Sequence, residues 1–205
     1  MTEQRSPVHE IVHALRRALA DLEAAVEIAD VERWAFAIHA TLSAAGREFH
    51  NHDHVIDFAR FGDPIEVIAA LYHDAVYIQV DQGPPATMAA EMNRALAHDG
   101  DGWRVLPAAA ATEVTADVLA VFGRRPGDHV TATSGLNELA SALVAAQHLE
   151  RALDRGRRIA LAACIEQTIP FRADPVTPLR DRLVSLGLRG TQLDDTLARA
   201  VRVGN

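Results

Sequence analysis

Between Arg47 and Tyr77 the chain reads REFHNHDHVIDFARFGDPIEVIAALYHDAVY, which places His50, His52 and His54 within five residues and His73 directly before Asp74. Imidazole and carboxylate are the donor set that holds a divalent cation against water and phosphate oxygens. Such a cation acidifies bound water and polarises a phosphoryl group. His50 and His54 are four residues apart, so a helix starting near Asn51 carries both on one face, with Val55 and Phe58 turned toward a core. Asp57 follows His54 by three and is placed either to orient its imidazole or to stand as an ordinary exposed helix carboxylate. His52 and Asp53 fall off that face and read as solvent residues. An isolated His-Asp pair is a weak signal. Joined to an HxxxH run across a short break, it becomes a candidate metal centre.

The elements that must position these groups are helices. Val8 to Ile28 repeats Ile11, Leu15, Leu19, Leu22 and Val26 at helical spacing. Asp30 is expected to cap a second helix running to about Ala45, with Trp34, Ile38 and Leu42 inward and Gly46 closing it. Gly62-Asp63-Pro64 breaks the chain, with Asp63 as cap and Pro64 in the first turn of a strongly apolar helix. His73 and Asp74 emerge at the end of that buried helix, where an unsatisfied ionisable pair is costly. Tyr77 to Pro85 reads as a loop, Ala86 to Ala97 as a helix, and Pro107 to Phe122 as another ending at Gly123. Gly123 to Gly135 is the longest loop-like region and a candidate lid. Leu136 to Leu153, Arg157 to Thr168, Leu179 to Leu186 and Leu193 to Val203 complete an all-α bundle of about ten helices with no period-two strand pattern.

HNHDHV followed by LYHD resembles the HD-domain superfamily of metal-dependent phosphohydrolases, in particular its small predicted hydrolases. The resemblance covers Ala35 to Asp81; helices from 86 to 203 would complete the pocket of one domain spanning 1–205. It implies an all-α HD-type bundle in which His54, the His73-Asp74 pair and a later carboxylate bind divalent metal, with Asp74 also orienting the attacking water. In place of a clear final Asp, the segment SGLNELASALVAAQHLE offers Asn137 and Glu138. Asn137 is the preferred ligand. The alternatives are Glu138 or Asp117 as substitute, a lost ligand, or Asn137 as a helix cap. Asn137, Ser141, Val144 and His148 share one helical face. The resemblance also implies that His50 and Asn51 contact the substrate or support the ligands from behind; equally, His50 is placed to cap the helix or pack under the loop. Tyr77 and Asp81 follow the pair and are expected to border the pocket, and Arg47 is suited to a substrate phosphate or to a salt bridge with a nearby acid. Manganese, iron, magnesium, cobalt, nickel or zinc all suit such N/O ligation. The expected substrate is a nucleotide or another small phosphate ester.

Composition narrows the alternatives. Of 205 residues 49% are hydrophobic but only 5% aromatic, which suits closely packed Ala-rich helices. A formal charge of −8 argues against general nucleic-acid binding, since phosphate contacts need clustered Lys and Arg. Cys164 is the single cysteine, so no intrachain disulfide forms and a reducing cytoplasm fits. The polar start MTEQRSPVHEIVHAL lacks a signal-peptide core, and no apolar run spans a bilayer. A homo-oligomer is compatible with all of this. There is no GxSxG and no phosphate-cradling glycine loop with a Lys. Two other functions stay open: a degenerate HD domain serving as a nucleotide-binding or regulatory module, and a purely structural bundle.

Overall fold

Asp63 starts the helix that carries the candidate pair, and it does so by the mechanism its spacing predicts. Its carboxylate accepts from the backbone N–H groups of Ile65 (3.0 Å) and Glu66 (3.2 Å), while Glu66 Oε2 accepts from the Asp63 N–H at 3.0 Å. Three otherwise orphaned donors are thus satisfied by a reciprocal cap, with Pro64 in the first turn. The computed structural model describes residues 6–44, 55–56, 59, 62–81, 83–100 and 102–204. Its helices are α1 (Pro7–Asp21), α2 (Ile28–Leu42), α3 (Pro64–Tyr72), a single turn α4 (Ile78–Asp81), α5 (Ala89–Asn93), α6 (Glu113–Val121), α7 (Leu136–His148), α8 (Arg155–Gln167), α9 (Val176–Ser185) and α10 (Gly190–Gly204). The described residues are mostly helical and share one hydrophobic core, the all-α class expected.

Helix α8 runs through the middle. It packs against α3, α6, α7, α9 and α10, and every residue from Ile159 to Gln167 is buried. Its small side chains, Ala160, Ala162, Ala163 and Cys164, let those neighbours approach closely. Burial pushes the Cys164 thiol pKa up, so it stays a neutral, inert packing group. At the C-terminal end Arg199 and Arg202 of α10 reach back to Asp63 (2.5 Å) and Glu66 (2.6 Å), fastening the last helix to the start of α3.

Several boundaries differ from the periodicity. The first helix stops at Asp21, and Glu23 takes a positive φ of 54° that turns the chain into α2. Glu27, not Asp30, precedes α2, and Asp30 sits in its first turn. The stretch Ala86 to Ala97 is helical only over α5 and then becomes strand β1 (Leu96–Asp99), paired antiparallel with β2 (Gly102–Val105), which pairs with β3 (His129–Val130). Gly102 lets the His129 ring lie over the strand, since a Cβ there would come 2.5 Å from it and the ring would have to swing aside. Alternation over four residues is too short to outvote helix-forming alanines in a sequence reading. The sheet also changes the reading of 123–135 as a lid: β3 is laddered into it, and Arg124 donates to the Ser134 carbonyl at 2.5 Å. No helix among the described residues is long and apolar enough to cross a membrane.

Candidate metal centre

Helix α3 is buried along its whole second half, and its last residue, Tyr72, is followed by His73 at the C-cap position, 8% exposed. His73 Nδ1 lies 2.8 Å from the Ala70 carbonyl, one turn back, to which it donates. That bond fixes the ring and aims Nε2 away from the helix, where it meets Asp74 Oδ2 at 3.0 Å. Burial alone lowers the His73 pKa, but the hydrogen bond to Asp74, the Asp74 charge and the Ala70 carbonyl outweigh it, and the net shift is upward. The pair thus asks for a positive charge between Nε2 and Oδ2, either a proton or a cation. Metal bonds to N and O donors run about 2.0–2.2 Å, so donors this close can share one ion. A histidine whose other nitrogen donates to a backbone carbonyl is the usual metal-ligating form.

Helix α7 holds the turn in place, and it does so with the face that sequence spacing singled out. Ser141 Oγ accepts from the Val76 N–H at 3.0 Å, Asn137 Oδ1 accepts from the Ile78 N–H at 3.1 Å, and His148 Nδ1 lies 3.0 Å from the Tyr72 hydroxyl. Tyr77, half-buried, is carried between the two anchored backbone amides of Val76 and Ile78. Val76 and Ser141 are fully buried, so Ser141→Ala strands an N–H without water. The variant is expected to lose about 1–3 kcal/mol in urea unfolding.

Asn137 has a second bond, from Nδ2 to Gln79 Oε1 at 2.9 Å. Its carboxamide therefore serves first as a brace for the segment after the pair. The carboxylate nearer in effect is Glu138. Burial raises its pKa, the Asp74 charge raises it further, and His73 and Arg172 pull it down. Glu138 and the His73-Asp74 pair thus feel one another, whereas the sequence offers Glu138 only as a substitute for Asn137. Asp117 is engaged elsewhere, both oxygens accepting from Arg155 at 2.7 and 2.8 Å. Arg47, His50, Asn51 and His54 lie outside the described residues. Among the described residues no three His, Cys, Asp or Glu side chains close around one metal position. His73 and Asp74 are the two donors brought together, with Glu138 the acid whose charge reaches them.

On the other side of Tyr72 a cavity of about 900 Å³ is floored by Trp34 and His148, whose rings lie 6.0 Å apart and nearly parallel. Its lining mixes Arg33, Arg94 and Arg151 with Asp30, Glu91 and Glu150 and includes neither His73 nor Asp74. The His73-Asp74 chemistry, not cavity size, locates the candidate centre. Burial lowers the His148 pKa to about 4 and raises that of Tyr72, so the phenol keeps its proton and donates to a neutral imidazole. A base whose folded pKa lies below its unfolded value of about 6.5 stabilises the fold above that value. The contribution, at most roughly 3 kcal/mol, is lost as pH falls from about 6.5 to about 4. Urea midpoints of the parent chain should fall over that window by more than those of His148→Gln.

No protein-family model, curated protein or solved structure matches this chain.

Proposed function

We propose that this chain is a metal-dependent phosphohydrolase acting on a small phosphate ester, a nucleotide or another phosphomonoester or diester. The observation that supports this most is the pair itself: His73 Nε2 and Asp74 Oδ2 held 3.0 Å apart, the ring locked from behind by the Ala70 carbonyl. His73 and Asp74 would hold the ion, with His54 as the third donor implied by the HD-domain resemblance and Asn137 or Glu138 at the remaining position. When bound, a divalent ion of manganese, iron, magnesium, cobalt, nickel or zinc supplies charge that polarises a phosphoryl oxygen and acidifies water. Asp74 would serve both as a ligand and as the acceptor that orients the attacking water. His73 keeps its Nδ1 proton on Ala70, which holds the ring in one tautomer. His50, Asn51, Arg47 and Tyr77 are the proposed substrate contacts, and the setting proposed is the cytoplasm.

A second reading is a non-catalytic nucleotide-binding or regulatory module of the same fold. The specific observation in its favour is that Asn137 gives its carboxamide to Ile78 and Gln79. One assay separates them. Purified chain with manganese and a panel of phosphate esters should turn over at least one ester, and His73→Ala should not. A metal-free, inert chain that still binds a nucleotide favours the module.

A further inference from the structure

Phe171 is out of place by two physical criteria at once. It is completely exposed, and its φ of +61° lies in the left-handed region that bulky side chains avoid. A left-handed conformation costs a non-glycine residue about 1–2 kcal/mol, and an aromatic ring in water returns nothing for it. Conformations of this kind persist only where the surroundings impose them, and they gather at ligand-contacting sites.

The surroundings here do impose it. On one side of Phe171, Ile169 lies against Gly135, where an added Cβ would come within 2.5 Å of Ile169 Cδ1. On the other side, Arg172 is clamped to Glu166, with one nitrogen 2.5 Å from Oε1 and the other 2.6 Å from the backbone carbonyl, while its Nε donates to the Ile169 carbonyl at 3.3 Å. The loop tip is thus fixed from both flanks with Phe171 between them. Its location matters as much as its strain. Gly135 is the cap residue directly before α7, two residues before Asn137 and three before Glu138.

We propose that Phe171 is a specificity residue that stacks on the planar ring of the substrate, so that the esters preferred are aromatic ones such as nucleoside phosphates. The inference rests on the phosphohydrolase reading for its reaction but not for its binding contact. A flat ring is the chemistry that an exposed, rigidly held aromatic recognises without hydrogen bonds, and such stacking contributes about 1–3 kcal/mol per base.

The test is Phe171→Asn, because asparagine accepts left-handed φ and is polar. If Phe171 is kept for a ligand, the variant melts about 2–4 °C higher than the parent chain. With manganese present, its KM for adenosine 5′-monophosphate rises about tenfold more than its KM for glycerol 3-phosphate. Equilibrium dialysis with adenosine 5′-monophosphate gives the same comparison without turnover. Should the parent chain hydrolyse no ester, the hydrolase reading fails, while nucleotide retention that weakens about tenfold in the variant still upholds the stacking contact. Equal retention by parent and variant, or equal changes in KM for both esters, overturns it.

Discussion

Glu166→Ala is expected to lower the unfolding free energy by about 3–5 kcal/mol, the largest stability loss for a single substitution outside the apolar core. Glu166 is 2% exposed and lies near the C-terminal end of the central helix. Its carboxylate is shared by Arg172 at 2.5 Å, Arg182 at 2.6 Å and the Gln167 amide at 2.7 Å. Removing it leaves two largely covered guanidinium groups facing each other. Burial and then the Arg172 charge already pull the Arg182 pKa down, and Glu166 is what offsets them. The loss is dominated by stranded charge and not by the strength of the pair itself. Replacing charge on both sides, as in Glu166→Leu with Arg182→Met, should therefore cost less than Glu166→Ala alone. Urea denaturation at neutral pH measures both. A Glu166→Ala loss below about 1 kcal/mol would mean the arginines relax into water.

Asp74→Asn is expected to leave the fold intact and to reduce phosphate-ester turnover about a thousandfold or more. The amide keeps the shape of the side chain but removes the charge opposite His73 Nε2, 3.0 Å away. A metal's electrostatic share of such a reaction is several kcal/mol, and each 1.36 kcal/mol is tenfold in rate. His73→Ala should match it, because each residue is useful only with the other. Far-UV circular dichroism and the melting temperature check that the fold persists. Turnover within tenfold of the parent chain in either variant would place the reaction elsewhere.

The parts of this molecule legible in the sequence were those governed by local rules. Asp63-Pro64 with Glu66 three residues on is a capping box that needs no tertiary knowledge, and it begins α3 where expected. The shared face of Asn137, Ser141 and His148 follows from helical spacing, and all three reach the turn around His73 and Asp74. What spacing cannot give is what the face meets. Spacing offers Asn137 as a donor to metal; the fold adds that its oxygen receives the Ile78 N–H and that Glu138 one position on feels the pair. The strands of 96–105 were hidden because alanine and leucine suit a helix and pairing with a distant two-residue strand decides the matter. Nothing in the sequence singles out Phe171, since its strain comes from Ile169 and Arg172 being anchored to separate elements.

Manganese binding to the purified chain tests the central claim most directly, read by the loss of the free-ion electron paramagnetic resonance signal as protein is added. The account predicts saturable uptake of at least one manganese per chain, abolished in both His73→Ala and Asp74→Asn with their melting temperatures within a few degrees of the parent. No saturable uptake by the parent chain, or uptake that survives both substitutions, would contradict it.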